Sequence, residues 1–403
     1  MSHKMTKWAL DRREFLKLAG LSTATMALLT SCFGSNMNTE PVAPPIIEHS
    51  PISPEIQSIN DLDVKIGQML MVGFRGLEVN DNDDFIVQDI RNRHIGGILL
   101  FNYDVAQKSP VRNIQSPAQV KKLVSALQIY AEIPLLVGID YEGGIVNRLP
   151  EKNGFPKTVS HQFLGQKNDL ALTRHYATEM GNTLKGLGIN LNFAPVVDVN
   201  TNPNNPIIAG KERSFSSDPN LVAKHAIEYI KGHHQANVLC TLKHFPGHGS
   251  STADSHLGMV DVTETWNSKE LIPYREIIHA GEADGIMTAH VFNKTLDPEV
   301  PATLSQPIIT GLLRQKLEFN KVVFSDDMQM KAIASHYGLE TAVHKAIDAG
   351  VDILVIGNNT GDFVPDIAAQ AFNIIKRLVQ NGTISEARIE ESYQRIQQMK
   401  RRI

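Results

Sequence analysis

The 403-residue sequence has few cysteines and no strongly basic region beyond its first residues. Its two cysteines, Cys32 and Cys240, are too few for a framework of disulfide bonds. The formal net charge is −4 and no basic block occurs outside the extreme N-terminus, so nucleic acid is not an expected partner. The hydrophobic content of 42% is instead that of a globular protein with a substantial core.

The N-terminus has the pattern of an export signal. Arg12 and Arg13 precede a charge-free apolar stretch from Leu18 to Leu29, which is far shorter than the ~20 residues of a membrane-spanning helix. The arginine pair resembles a twin-arginine signal, and the sequence LTSC that ends at Cys32 resembles a lipoprotein box. We therefore expect a lipid-modified Cys32 that anchors the protein to a membrane of the cell envelope, on its periplasmic or extracellular face. A buried free cysteine after an amphipathic helix is the alternative.

The sequence predicts three segments: a signal peptide over 1–31, a linker over 32–58 and one folded domain over 59–403. The linker is rich in proline, serine and asparagine, a composition typical of extended, semi-rigid spacers. It suits a domain that is held away from a membrane. Cys240 lies in the folded domain, and we expect it to be unpaired in a core strand.

Short apolar runs alternate with longer amphipathic segments throughout the folded domain. These runs are continuous, as in strands covered on both faces, and extend over 69–74, 95–101, 134–140, 191–199, 238–245, 285–292, 321–328 and 352–357. Eight such alternations predict a single (β/α)8 barrel of the TIM type. An open doubly wound sheet is disfavoured, because no G-x-G-x-x-G motif follows the first strand. Nothing indicates a second domain, and we expect a monomer.

Five of the predicted strands end in charged or histidine residues. Their sequences are GIDYEGG, APVVDV, LKHFPGHG, MTAH and FSDD. Barrel enzymes build their active sites at the C-terminal ends of the strands. One such residue could be a helix cap, but five clusters at one end of a barrel indicate a catalytic site.

The run KHFPGHGSSTADSH, from Lys243 to His256, is the most unusual of these clusters. Its histidines and Asp254 are possible metal ligands, but neither a helical H-x-x-x-H pair nor a cysteine pair fixes their geometry, so we predict no metal site. Asp254 and His256 can instead form an acid–base dyad, in which the carboxylate orients the imidazole and stabilises its cation. An isolated Asp-x-His sequence is also compatible with a solvated turn.

The sequence FSDDM offers two carboxylates at the end of the seventh strand. A buried carboxylate there can attack the anomeric carbon of a sugar, or it can cap the next helix. Because successive residues of a strand point to opposite faces, Asp326 shares a face with Phe324, and Asp327 lies on the other. We therefore expect Asp326 in the pocket and Asp327 towards the helices, where it caps the turn at Met328.

Four blocks of the sequence resemble those of glycoside hydrolase family 3, in the same order. They are DYEGGIVNR (Asp140–Arg148), ERSF (Glu212–Phe215), KHFPGHGSSTADSH and FSDDMQM. The third block is similar to that of the β-N-acetylglucosaminidase branch, and the resemblance extends from about Ile59 to Ile403. It implies a barrel enzyme that removes terminal N-acetylglucosamine, for example from peptidoglycan fragments, with retention of configuration and no cofactor.

The resemblance also implies roles for individual residues. Asp326 would be the nucleophile and His256 the general acid/base, with Asp254 supporting His256. Gly247 and Gly249 would let the catalytic loop close. Five further residues would hold the sugar: Asp140, Arg148, Arg213, Lys243 and His244.

The sequence departs from the family pattern in two places. Tyr141 stands where glutamine is usual, and Ser250 and Ser251 replace a common Asp-Thr pair. A phosphorylase that uses phosphate in place of water, an inactive sugar-binding lipoprotein and a metal hydrolase are the competing functions. Peptidoglycan fragments, chitin oligomers and host glycans are the alternative substrates.

Overall fold

The computed structural model describes residues 61–79, 84–255 and 257–403. The predicted signal peptide, the linker, Cys32 and His256 lie outside the described residues. Within the described part, eight parallel strands form one sheet: β1 (Leu70–Gly73), β2 (Gly97–Leu100), β3 (Leu136–Ile139), β4 (Leu191–Asn192), β5 (Leu239–Phe245), β6 (Gly285–Thr288), β7 (Val322–Phe324) and β8 (Leu354–Ile356). Each of the eight predicted apolar runs contains one of these strands.

The strands are neighbours in chain order, and β1 also pairs with β8. A parallel bridge between Phe324 and Ile353 joins β7 to β8 and closes the sheet into a barrel. Asp352 strengthens this joint, because its backbone N–H donates to the carbonyl of Val323 at 2.8 Å and its carboxylate accepts the N–H of Val323 at 3.0 Å. The prediction of a single (β/α)8 barrel is confirmed.

Helices surround the barrel and connect successive strands. They are α1 (Asp61–Gln68), α2 (Phe85–Arg93), α3 (Pro117–Ile129), α4 (His161–Lys167), α5 (Leu170–Leu187), α6 (Pro219–His234), α7 (Ile272–His279), α8 (Lys331–Ala349), α9 (Ile367–Gln380) and α10 (Glu386–Lys400). A π-helix (Pro307–Lys316) replaces the α-helix between β6 and β7, and α8 is kinked at Gly338.

Capping residues in the sequence set the ends of these helices. Ser116 and Asp169 accept the backbone N–H groups of Gln119 and Leu172, at the starts of α3 and α5. Gly188 ends α5 in the left-handed conformation that glycine adopts without steric cost. The ends of these helices are therefore set by local sequence signals.

Large apolar side chains fill the barrel and form the floor of the space above it. The rings of Phe193 and Phe324 pack edge to face, with their centroids 5.6 Å apart. Gly138 leaves room for the Phe193 ring and for Met71, since a Cβ atom there would lie 3.1 Å from Phe193 and 3.3 Å from Met71. A packed interior of this kind confines any ligand to the ends of the barrel.

Most of the strands are shorter than the apolar runs that predicted them, and two runs change conformation part-way. The run 191–199 is a strand only over Leu191–Asn192, and the peptide bond before Pro195 is cis. The run 285–292 divides after Thr288, and Val291–Phe292 pairs with Val260–Asp261 outside the barrel. No helix of the described residues is both long and apolar enough to cross a membrane.

Candidate active site

A cavity of about 340 Å³ opens at the carboxyl ends of the strands. Its floor is apolar, while four carboxylates and four cations form much of its wall. This balance of charge suits a polar, uncharged ligand such as a sugar. The lining includes Leu99, Phe193, Met287 and Val355 on the floor, and Asp140, Glu142, Arg148, Lys211, Arg213, Lys243, His244, Asp326 and Asp327 on the wall.

The residues after β3 form a short hairpin that brings Glu142 into the barrel mouth. Strands Tyr141–Gly143 and Val146–Asn147 pair antiparallel there. Glu142 is 1% exposed, and its carboxylate accepts hydrogen bonds from Nε and Nη2 of Arg213 at 2.8 and 2.7 Å. Its Oε1 also lies 2.7 Å from Nζ of Lys243. Burial alone would raise the pKa of Glu142, but the two cations lower it well below its ordinary value.

Lys243 connects this carboxylate to a second one. Its Nζ donates to Oδ1 of Asp140 at 2.7 Å, while Arg148 Nη2 lies 3.7 Å from Oδ2 of the same residue. Burial raises the pKa of Asp140, but the charges of Lys243 and Arg148 outweigh it, and the net shift is downward. An ammonium has three donor hydrogens, of which Glu142 and Asp140 use two. The third is available to a ligand hydroxyl.

His244 is held by Asp198, which lies in the segment that follows β4. Its Nδ1 lies 2.8 Å from Oδ2 of Asp198, and its Nε2 lies 3.4 Å from Nη2 of Arg213. Because a guanidinium can only donate, Nε2 of His244 accepts and Nδ1 carries the hydrogen that Asp198 receives. Burial would raise the pKa of Asp198, but His244 lowers it overall. The imidazole therefore has a fixed orientation, with one edge in the cavity.

Asp326 and Asp327 follow β7 and both line the cavity. Asp326 Oδ1 accepts the N–H of Asp327 at 2.8 Å. Asp327 Oδ1 accepts the N–H groups of Gln329 and Gly357, so it caps the turn after β7, as expected, and also ties β7 to β8. The expectation that Asp327 faces the helix layer is wrong. It stands beside Asp326 at the cavity wall, because the strand ends at Phe324 and the alternation does not continue beyond it.

The first half of the unusual run, from Lys243 to Ser251, is buried throughout. Gly249 packs against the segment that follows β4, where a Cβ atom would lie 1.8 Å from the carbonyl oxygen of Val199. His248 does not line the cavity. Its Nδ1 lies 2.6 Å from Ser251 Oγ, and its backbone N–H donates to Asp198. Burial and the neighbouring His244 lower the pKa of His248 to about 4, so it is neutral near pH 7. Gly249 thus serves close packing, and its expected role in loop closure stays a prediction.

Two of the predicted catalytic residues lie in the second half of the run. Asp254 is partly exposed and does not line the cavity, and its carbonyl accepts the N–H of Leu257. His256 lies outside the described residues. The five residues expected to hold the sugar, and Asp326, all line the cavity: Asp140, Arg148, Arg213, Lys243, His244 and Asp326.

Sequence reasoning missed three residues of the site. Glu142 and Asp198 stand in clusters that the sequence singled out, yet nothing in their spacing shows that each pairs with a cation or histidine from another strand. Lys211 directly precedes the ERSF block, and no motif in the sequence marked it as a site residue. Conversely, Tyr141, which departs from the family pattern, is fully buried and does not line the cavity.

Glu270 binds the buried part of the run KHFPGHGSSTADSH through a hydrogen bond. The residue is 0% exposed, and its Oε2 accepts the backbone N–H of Gly249 at 2.9 Å. Gly247, with a φ of 127°, leaves the space that the Glu270 side chain occupies. Burial raises the pKa of Glu270 to about 7. The described residues contain no group of three or more His, Cys, Asp or Glu side chains arranged to hold a metal ion.

Comparisons with known proteins give one consistent result. The model of the glycosyl hydrolase family 3 N-terminal domain matches residues 61–399. A β-hexosaminidase of Tolumonas auensis is 38% identical over 297 residues, which cover 72% of this chain and 83% of the relative. A solved glycoside hydrolase family 3 β-N-acetylglucosaminidase from Paenibacillus is similar with a TM-score of 0.77 and 38% identity, over 85% of this chain and 62% of that one.

A second solved structure is covered almost completely by the chain. The β-N-acetylhexosaminidase of Beutenbergia cavernae is similar with a TM-score of 0.74 and 28% identity, over 85% of this chain and 98% of that one. The chain spans less than two thirds of the Paenibacillus structure but nearly all of the Beutenbergia structure. The similarity therefore extends over a whole barrel domain.

The raised pKa of Glu270 predicts a pH dependence of stability. The folded protein keeps this proton up to about pH 7, whereas the unfolded chain releases it near pH 4.5. Its contribution is therefore fully present below pH 4.5 and is lost as the pH rises to 7. Glu270→Gln removes the charge, so its free energy of unfolding relative to the wild type should rise between pH 4.5 and 7, by at most about 1.4 kcal/mol per pH unit.

Urea unfolding at several pH values between 4 and 8 measures this difference. Glu264→Gln, at an exposed position, is the matched control and should give a flat difference. A flat difference for Glu270→Gln as well would show that Glu270 is ionised in the folded protein.

Proposed function

The chain belongs to glycosyl hydrolase family 3, and we propose that it is a retaining exo-β-N-acetylglucosaminidase that acts on peptidoglycan-derived fragments. The observation that carries the proposal is the position of Asp326 in a cavity whose opposite wall is the Asp140–Lys243–Glu142 network. The β-hexosaminidase relatives support the choice of N-acetylglucosaminides as substrates. A volume of about 340 Å³ is at the lower end for small-molecule sites, which favours a single terminal sugar over an internal chain segment.

The reaction proceeds in two steps. In the first, a carboxylate oxygen of Asp326 attacks the anomeric carbon, the bond from that carbon to the leaving-group oxygen breaks, and the leaving group takes a proton from His256. In the second, water attacks the glycosyl ester, His256 takes a proton from the water, and Asp326 leaves. Two displacements at one carbon retain its configuration.

The dyad of Asp254 and His256 replaces the second carboxylate of the general two-carboxylate scheme. Histidine titrates near neutrality, so it can give and accept a proton without a strongly apolar environment. Asp254 would orient the imidazole and stabilise its cation. Asp254 itself does not line the cavity, so its part in the proposed mechanism is to act through His256.

The remaining polar residues hold the sugar in this proposal. Asp140 can accept hydroxyl hydrogens, while Lys243 and Arg148 can donate to hydroxyl or acetamido oxygens. The Arg213 guanidinium is engaged mainly with Glu142, so its chief contribution is to fix Glu142 and His244. Phe193 and Met287 offer an apolar surface to the sugar ring.

Removal of the nucleophile tests the assignment of Asp326. Asp326→Ala should abolish turnover of an activated aryl N-acetylglucosaminide, because no glycosyl ester can form. Added azide should partly restore it by entering the vacated space and should give the α-glycosyl azide. Asp327→Asn is the matched variant; it should lower stability by about 1 kcal/mol, as for a lost cap, and its turnover should not respond to azide. Azide rescue of Asp327→Asn alone would reverse the assignment.

The leaving group tests His256. His256→Ala should lower the rate for substrates with poor leaving groups by about 10²–10⁴-fold, because these leaving groups need a proton. Activated aryl glycosides should lose much less, since their phenolates depart unprotonated. Steady-state kinetics over a series of aryl N-acetylglucosaminides measures the difference. Equal losses across the series would mean that His256 positions the sugar and transfers no proton.

We also propose that the enzyme is a lipoprotein of the cell envelope, held to a membrane through Cys32. The sequence pattern before Cys32 supports this, and the residues concerned lie outside those that the structure describes. Cys32→Ser should abolish incorporation of labelled fatty acid and release the protein from the membrane fraction, because the thioether needs the thiol. Exchange of Arg12 and Arg13 for lysine should block export by the twin-arginine route. Normal export of that variant would favour the general secretory route.

A further inference from the structure

The cavity wall contains a cation, Lys211, that has no carboxylate partner. The other three cations of the wall are each paired: Arg148 and Lys243 with Asp140, and Arg213 with Glu142. Lys211 makes no hydrogen bond or ion pair with any described residue, although its side chain is half-buried at the cavity. Resting on the proposed function, we propose that Lys211 determines specificity by binding a carboxylate carried by the leaving group.

The turn before Lys211 is built to hold this residue in place. Asn205 Oδ1 accepts the N–H groups of Ile207 and Ile208 at 3.0 and 2.9 Å, and its carbonyl accepts the N–H of Gly210 at 2.8 Å. Asn205 is itself 1% exposed. A turn closed on a buried side chain places the following residue reproducibly, so Lys211 is held at the cavity wall by a fixed turn.

The same asparagine fastens this turn to the catalytic run. Asn205 Nδ2 donates to the carbonyl of His248 at 2.8 Å and to Ser251 Oγ at 3.0 Å. Ser255, the residue before the proposed acid/base His256 in the sequence, belongs to the same assembly, since its Oγ lies 3.3 Å from Nε2 of His248. The proposed mechanism has His256 protonate the leaving-group oxygen, so our proposal places the leaving group on the side of the cavity where Lys211 lies.

The chemistry of the position favours an anion over a sugar hydroxyl. Sugar hydroxyls already have donors and acceptors in Lys243, Asp140 and Arg148 on the adjoining wall. An unpaired ammonium in a partly desolvated wall gains most from a full negative charge. The ligand class is therefore an N-acetylglucosaminide whose leaving group carries a carboxylate near the scissile bond, such as a lactyl ether.

Two substrate pairs test the proposal in the full-length protein. The first compares 3-carboxyphenyl with 3-carbamoylphenyl N-acetylglucosaminide, and the second compares GlcNAc–MurNAc with chitobiose. The wild type should prefer the carboxylate member of each pair in kcat/KM, and Lys211→Met should lower that preference about 5- to 10-fold, mainly through KM. The neutral substrates should change less than 2-fold. Lys211→Arg should restore most of the preference, and added salt should weaken it.

Lys185→Met, on an exposed position of α5, removes the same charge far from the cavity and serves as the control. Equal losses on charged and neutral substrates, or an unchanged preference in Lys211→Met, would overturn the proposal. A rate that rises with inorganic phosphate in the wild type but not in Lys211→Met would also overturn it, because the anion would then be the acceptor. Failure of the proposed function is distinguishable, since the wild type would then hydrolyse none of the four substrates.

Discussion

The upper face of the barrel depends on one buried carboxylate, Glu142, held between Arg213 and Lys243. A buried charge is costly unless charged and hydrogen-bonding partners surround it, and removal of one partner from such a pair typically costs about 3–5 kcal/mol. Glu142 meets this condition with hydrogen bonds of 2.7 and 2.8 Å to the guanidinium and a 2.7 Å contact with the ammonium. The three residues come from the ends of β3, the β4 connection and β5, so this network fixes the relative positions of three separate segments.

The chemistry of the site follows from this network. With Lys243 held by two carboxylates, one of its hydrogens remains for a ligand, and Asp140 keeps its charge beside it. Arg213 extends the network to His244, whose ring Asp198 fixes in turn. The opposite wall is formed at the joint of β7 and β8, where Asp327 ties the two strands and Asp326 lines the cavity beside it. The barrel thus presents a rigid binding wall across a cavity from a carboxylate that can react.

The sequence predicts the barrel well because continuous apolar runs and capping residues are local signals. It also predicts which strand ends carry the site, since chemistry at the C-terminal ends is a property of the architecture. It could not predict that Glu142 is the hub, because pairing across strands depends on how the barrel closes. The prediction that Asp327 faces the helices failed for a related reason, because it extended the strand alternation past Phe324, where the strand ends. Beyond that point, the hydrogen bonds that Asp327 accepts from the N–H groups of Gln329 and Gly357 determine the direction of its side chain.

The central claim is that Asp326 becomes covalently bonded to the sugar. An N-acetylglucosaminyl donor with a good leaving group and a fluorine at C5 should form the ester faster than water removes it, because the fluorine disfavours the positively charged transition states of both steps. Peptide mass spectrometry of the trapped protein should then find one fluorinated N-acetylhexosaminyl group on Asp326. An adduct on Asp327, or a product of inverted configuration without any adduct, would contradict the account.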